Sequence, residues 1–127
     1  MSMEMFADNT TIEHQNDNDW TIPSIYQIPG DTKVLSVIGT NAPDGSPFGI
    51  LGSTSNGLLT NETWKCSSDF YPGWTSPDFD DRDWPLAKVL ATNGDRPWKT
   101  IDGIAKTAKW IWAKNYEHTV YCRLKLQ

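Results

Sequence analysis

Apolar and polar residues alternate in short runs along this chain, and the runs are broken repeatedly by Gly, Pro, Asn and Asp. A period of two puts successive side chains on opposite faces of an extended strand and does not suit a helix. Residues 5–13 (MFADNTTIE) read as a first strand that ends in β-branched Thr10, Thr11 and Ile12. Residues 24–28 alternate and stop at Pro29-Gly30-Asp31. The next run, 33–39 (KVLSVIG), is apolar on both faces and predicts a central strand. Further strands are expected at 48–51, within 58–67, and at 84–91, 108–112 and 119–126. In 84–91 (WPLAKVLA) a helical turn is the alternative, since Pro85 suits either a helix start or an edge strand. Trp110 and Trp112 share a face opposite Ile111. In the last run Val120, Cys122, Leu124 and Leu126 face one way, and Tyr121, Arg123 and Lys125 the other. About eight short strands at this spacing, without repeats, predict an all-β antiparallel β-sandwich.

Composition sharpens the picture. The 127 residues are enough for one domain, 1–127, with a real core. Hydrophobic content is only 38%, but seven tryptophans supply large buried surfaces in place of many small aliphatics. A net charge of −5 argues against nucleic acid and anionic membrane as partners. Residues 1–62 hold eight acids and one base, while 63–127 hold eight acids and ten bases, which reads as mutual neutralisation of two interleaved halves. No apolar run reaches the roughly 20 residues of a membrane span. The start, MSMEMFADN, has neither the basic nor the apolar region of a signal peptide. An exported protein of this sequence would therefore have shed its leader or left by another route.

Cys66 and Cys122 both fall in predicted strands. One disulfide would close a loop of roughly 57 residues and contribute about 4 kcal/mol on the chain-entropy model. Two buried free thiols are the alternative. Asn61-Glu62-Thr63 is an N-glycosylation triplet, which like a disulfide points to a secreted or extracellular setting.

The densest stretch is 64–84, WKCSSDFYPGWTSPDFDDRDW, with three tryptophans, one cysteine and five carboxylates. FDDRDW resembles the F-D-D-x-x-W signature of galactose-binding-like jelly rolls, which include sugar-binding domains of family-two glycoside hydrolases and related rhamnosidases. WKCS, PGW, FDDRDW, PW, AKWIW and VYCR, in that order, are similar to small galactose-binding-like domains of invertebrate extracellular proteins. FADN, DW, YQIPGDTKVLSVIGTN and GILGS fit more loosely, and the stretch between Asp8 and Trp20 lacks the family's Asn-Gly hairpin. The resemblance implies a jelly roll of about nine strands and, often, carbohydrate binding, but no particular ligand.

In FDDRDW, Phe79 and Trp84 are expected to plug the sandwich while Asp80 or Asp81 caps the turn. The competing reading is calcium held by Asp78, Asp80, Asp81 and Asp83, although no EF-hand pattern is present. The resemblance adds a second candidate calcium site near the chain start, at Asp8, Asn9, Asp17 and Asp19. Trp20, Trp64, Trp84, Trp110 and Trp112 read as core. Tyr71 and Trp74 sit in a loop stiffened by Pro and Gly, where an indole is either a plug or a surface offered to a ligand; Trp98 shares that ambiguity. If successive strands are antiparallel, the loop after Trp112 shares an end with the 69–83 loop, and the 41–46 and 14–23 loops join them. That end would gather Tyr71, Trp74, Asn115, Tyr116, His118, Asn41 and Asp44, a mix of aromatic planes and polar groups suited to a sugar.

Catalysis finds little support, since His14 and His118 have no motif partners and no nucleophile motif occurs. The expected function is a non-catalytic, lectin-like carbohydrate-binding domain that meets carbohydrate or glycoprotein and forms a homo-oligomer for avidity. The alternative is a structural or adhesive extracellular module that binds a protein partner.

Overall fold

The computed structural model describes residues 2–12, 26–40, 49–95, 100–101, 103–114 and 118–126. Among them the chain forms strands and turns and no helix, and so no helix long and apolar enough to cross a membrane. The first predicted strand is in fact a hairpin: β1 (Ser2–Ala7) turns back into β2 (Thr10–Ile12). Asp8 and Asn9 make the turn with φ of 46° and 73°. Two left-handed residues in a row define the tight turn whose twist matches paired strands, and Asp and Asn tolerate that region better than other side chains. The hairpin that the Asn-Gly comparison found missing is therefore built from Asp8-Asn9. Asp8 also ties the turn to the sheet: its carboxylate accepts Lys33 N–H at 3.0 Å and Val34 N–H at 2.9 Å.

β3 (Val34–Thr40) is the central strand that its two-sided apolar run predicts. With β4 (Lys65–Ser67) and β7 (Thr119–Lys125) it completes a five-stranded antiparallel sheet ordered β2-β1-β3-β7-β4. Register aligns Met5, Val37, Cys122 and Cys66 in one row across four strands. Cys66 and Cys122 are thus direct neighbours, and they form the disulfide with Cα atoms 4.1 Å apart.

β5 (Lys88–Thr92) and β6 (Lys109–Trp112) pair as a second antiparallel sheet, with a register shift between Val89 and Ala91. Of the expected 84–91 strand, residues 88–91 belong to β5, while 84–87 form no helical turn and contribute only an isolated bridge from Leu86 to Lys65. In residues 49–51, the described part of the strand expected at 48–51, there is only a bridge, in which Ile50 exchanges both backbone hydrogen bonds with Ile111 at 3.0 and 2.9 Å. Residues 26–28, the described part of the expected 24–28 strand, are not in a strand. Asn93 pins the connection after β5: its carbonyl accepts Ile101 N–H at 2.9 Å and its amide donates to the Ile101, Ile104 and Ala105 carbonyls.

The two sheets face each other across one core, making a β-sandwich. Ala7, Leu35, Val37, Val120 and the disulfide come from the first sheet; Ile111, Trp112 and Ala113 come from the second. Trp112 approaches β3 so closely that a Cβ on Gly39 would lie 2.9 Å from the indole. Trp64, Trp84, Trp110 and Trp112 are all buried, as expected of core indoles; Trp20 and Trp98 lie outside the described residues.

Candidate ligand-binding cleft

The other face of the five-stranded sheet carries Phe6, Ser36, Arg123 and Lys65 in one row. Alternation alone assigns this face to solvent, yet Arg123 is completely buried. The loop between β4 and β5 folds down over it as an extra layer. Arg123 Nε donates to Asp81 Oδ2 at 2.9 Å. Its Nη1 donates to the carbonyls of Trp74 and Ser76, and its Nη2 to that of Phe79 at 3.4 Å. The guanidinium also lies over the Phe79 ring, 5.1 Å from its centroid. One planar cation thus gathers the loop's carbonyls and its one buried carboxylate, a geometry that a lysine could not reproduce.

FDDRDW divides its acids accordingly. Asp80 stays exposed and stabilises the turn by accepting Arg82 N–H at 3.1 Å, as a cap should. Asp81 points inward, where Lys65 and Lys125 approach its Oδ1 at 3.4 and 3.6 Å in addition to Arg123. Burial alone would raise the Asp81 pKa, but the Arg123 hydrogen bond and the charges of Arg123, Lys125 and Lys65 outweigh it. The carboxyl is held below the usual carboxylate range.

Trp74 corrects one expectation. It is 5% exposed, with Phe6 and Tyr121 edge-on at 5.9 and 5.2 Å and Trp84 stacked at 6.4 Å. The indole is the plug between loop and sheet and has no face to offer a ligand. Tyr71, three residues earlier, is 43% exposed and tilts against Trp84 at 5.9 Å. Asp8 gives its carboxylate to the Lys33 and Val34 backbone N–H groups. Among the described residues no three His, Cys, Asp or Glu side chains gather as a metal site; Asp17 and Asp19 lie outside those residues.

Tyr71 borders an open cleft of about 320 Å³, with Ser68, Asp69, Asp83, Trp84 and Lys114. Register explains why these meet. Thr40 at the end of β3 pairs with Thr119 at the start of β7, and Ser67 at the end of β4 pairs with Tyr121. The end of β3, the end of β4 and the start of β7 therefore lie at one end of the sandwich, where the 68–87 loop leaves β4 and the connection into β7 arrives at His118. Ser67 stiffens the cleft floor, its hydroxyl donating to Asp69 O and accepting Asp69 N–H, both at 3.0 Å. His118 is exposed on the same connection but is not part of the lining. Asn41, Asp44, Asn115 and Tyr116 lie outside the described residues. Asp69 and Lys114 were not singled out from sequence, and Asp83 only as a candidate calcium ligand, although Asp69 lies two residues from Tyr71 in the loop already under suspicion.

No protein-family model and no solved structure matches this chain. Among curated proteins it is similar to an alpha-L-rhamnosidase of Streptomyces avermitilis, 33% identical over 115 residues. That alignment covers 80% of this chain and 11% of the enzyme, so the chain spans only a small part of its relative's length.

Proposed function

We propose that this chain is a non-catalytic, lectin-like carbohydrate-binding module of galactose-binding-like jelly-roll type, secreted or extracellular, that takes a saccharide in the Tyr71 cleft. The observation that carries the reading is the placement of an exposed aromatic ring beside two carboxylates, a hydroxyl and an ammonium at one open end of the sandwich. A pyranose presents an apolar C–H face, which Tyr71 can cover, and vicinal hydroxyls, which Asp69 and Asp83 can accept from while Lys114 donates. The likeness to part of a rhamnosidase supports a carbohydrate ligand and makes L-rhamnose and its α-glycosides the first probes. The disulfide supports the oxidising compartment.

A single shallow site of this kind binds at about millimolar, near −4 kcal/mol, so avidity through a homo-oligomer is part of the proposal. The test is calorimetry against L-rhamnose and a glycan array, each with and without chelator. Tyr71→Ala is expected to weaken binding about tenfold, the worth of one stacked ring, with little change in stability because the ring is already half in solvent. An aryl α-L-rhamnoside should release no phenol. Failure of every saccharide to bind, or a Tyr71→Ala protein that binds as well as the parent, would overturn the reading. Phe70 and Leu86, 59% and 56% exposed, favour the adhesive alternative. Their replacement by Ser should leave sugar binding intact and abolish a protein contact if one exists.

A further inference from the structure

We infer that Asn61 is an N-glycan acceptor, taking an oligosaccharide from a polyprenyl-diphosphate donor when the chain is exported through a eukaryotic secretory route. The inference does not rest on the saccharide-binding reading; it rests on the 61–63 turn and on the disulfide. Asn61-Glu62-Thr63 supplies the acceptor triplet, and Glu62 and Thr63 are both exposed. The turn closes on the acceptor itself. Thr63 N–H and the Thr63 hydroxyl both donate to Asn61 Oδ1, at 2.9 and 2.5 Å. The amide oxygen is therefore occupied by the triplet's own threonine, while among the described residues the amide Nδ2, the atom that must carry the sugar, donates to no acceptor.

The transfer balances without any redox partner. Asn61 Nδ2 forms a bond to the anomeric carbon, the bond from that carbon to the diphosphate oxygen breaks, and polyprenyl diphosphate leaves with the electron pair. The amide nitrogen gives up one proton to a base of the transferase. Timing favours reaction on the growing chain, because Cys66 waits for a partner 56 residues downstream and the strand next to the turn cannot be locked before then.

In the folded protein Asn61 is half-buried beside exposed Glu62 and Thr63. Thr60 anchors the turn to the start of β6, its hydroxyl donating to Lys109 O at 2.7 Å and its carbonyl accepting Lys109 N–H at 2.9 Å. The cleft lies beyond the other end of β6, at Ala113 and Lys114. A glycan on Asn61 would thus stand away from the cleft. A second triplet, Asn9-Thr10-Thr11, sits on the β1–β2 turn, but its geometry differs. Asn9 Oδ1 accepts the Thr75 hydroxyl at 2.6 Å, and Thr11 belongs to the β2 ladder.

The deciding experiment is secretion of the chain from human cells behind a cleavable leader, followed by peptide mapping with and without peptide-N-glycosidase, which reads the two triplets separately. The expected result is an oligosaccharide on the Asn61 peptide, lost in Thr63→Ala and kept in Thr63→Ser. Enzymatic removal should leave Asp at position 61. Recovery of the secreted, disulfide-bonded protein with Asn61 unmodified would overturn the inference. Should Thr63→Ala fail to be secreted, the map of the parent protein and of Thr63→Ser decides alone.

Discussion

Replacing Arg123 with Met is expected to lower stability by about 3–5 kcal/mol, measured by urea unfolding at neutral pH. The methionine keeps most of the aliphatic volume, so the loss reports the guanidinium rather than a hole. Two separate costs add. Asp81, with 6% of its side chain exposed, loses its closest cation and keeps only Lys65 and Lys125 at 3.4 and 3.6 Å. The carbonyls of Trp74, Ser76 and Phe79 lose their donors beneath a layer that excludes water. A buried pair broken on one side costs far more than the intact pair contributes. Removing both charges in Arg123→Met/Asp81→Asn should therefore cost clearly less than the sum of the single changes. Additive losses, or a single-variant loss under about 1 kcal/mol, would show that the loop holds to the sheet without this cation.

The same carboxylate sets an acid limit. The folded pKa of Asp81 lies below its unfolded value, so the folded state favours the ionised form. The stability this contributes is fully present above the unfolded pKa of about 3.9, and it is lost as pH falls from there toward the folded value. The urea midpoint should accordingly drop as pH falls below about 4, and Asp81→Asn should flatten that part of the profile. Glu62, lowered by its own backbone N–H and by Lys109, titrates in the same direction, so Glu62→Gln is the necessary control. A profile unchanged by Asp81→Asn would mean that other carboxylates carry the acid sensitivity.

Which parts of this architecture can be read from the chain depends on what periodicity encodes. The run KVLSVIG identifies β3 as central because a strand covered on both sides carries apolar residues on both faces. Alternation in TVYCRLK places Cys122 inward, and a second cysteine on another strand makes the bridge a natural guess. Alternation also places Arg123 and Tyr121 on the opposite face, correctly. It cannot say whether that face meets water, because the covering layer comes from an irregular loop with no period of its own. For this one reason the sequence assigns Arg123 a face but no role, and leaves Trp74 open between plug and ligand surface. The β1–β2 hairpin was missed for another: Thr10, Thr11 and Ile12 continue the β-branched pattern, and the turn signal Asp8-Asn9 carries no glycine. Tyr71 stood out because Pro and Gly mark its loop. Lys114 comes to the cleft only through the order of the strands, which a linear reading sees as a parity argument and no more.

Trp74→Ala is expected to cost about 3–5 kcal/mol, a core value rather than a surface one. The indole touches the sheet through Phe6 and Tyr121 and the loop through Trp84, and its own carbonyl accepts from Arg123. Truncation leaves a void between the two layers that neither can collapse to fill, since the loop is fixed by Asp81 and the sheet by its ladder. Trp74→Phe keeps a ring and should recover more than half of the loss. The contrast with Tyr71→Ala separates plug from platform. Tyr71 is to affect saccharide affinity and not the unfolding midpoint, whereas Trp74 is to affect the midpoint first, with affinity changing only through Trp84 at the cleft wall. Near-equal stability of Trp74→Ala and the parent protein, by thermal and urea unfolding alike, would mean that the indole is free to swing out and that the loop is not a packed layer at all.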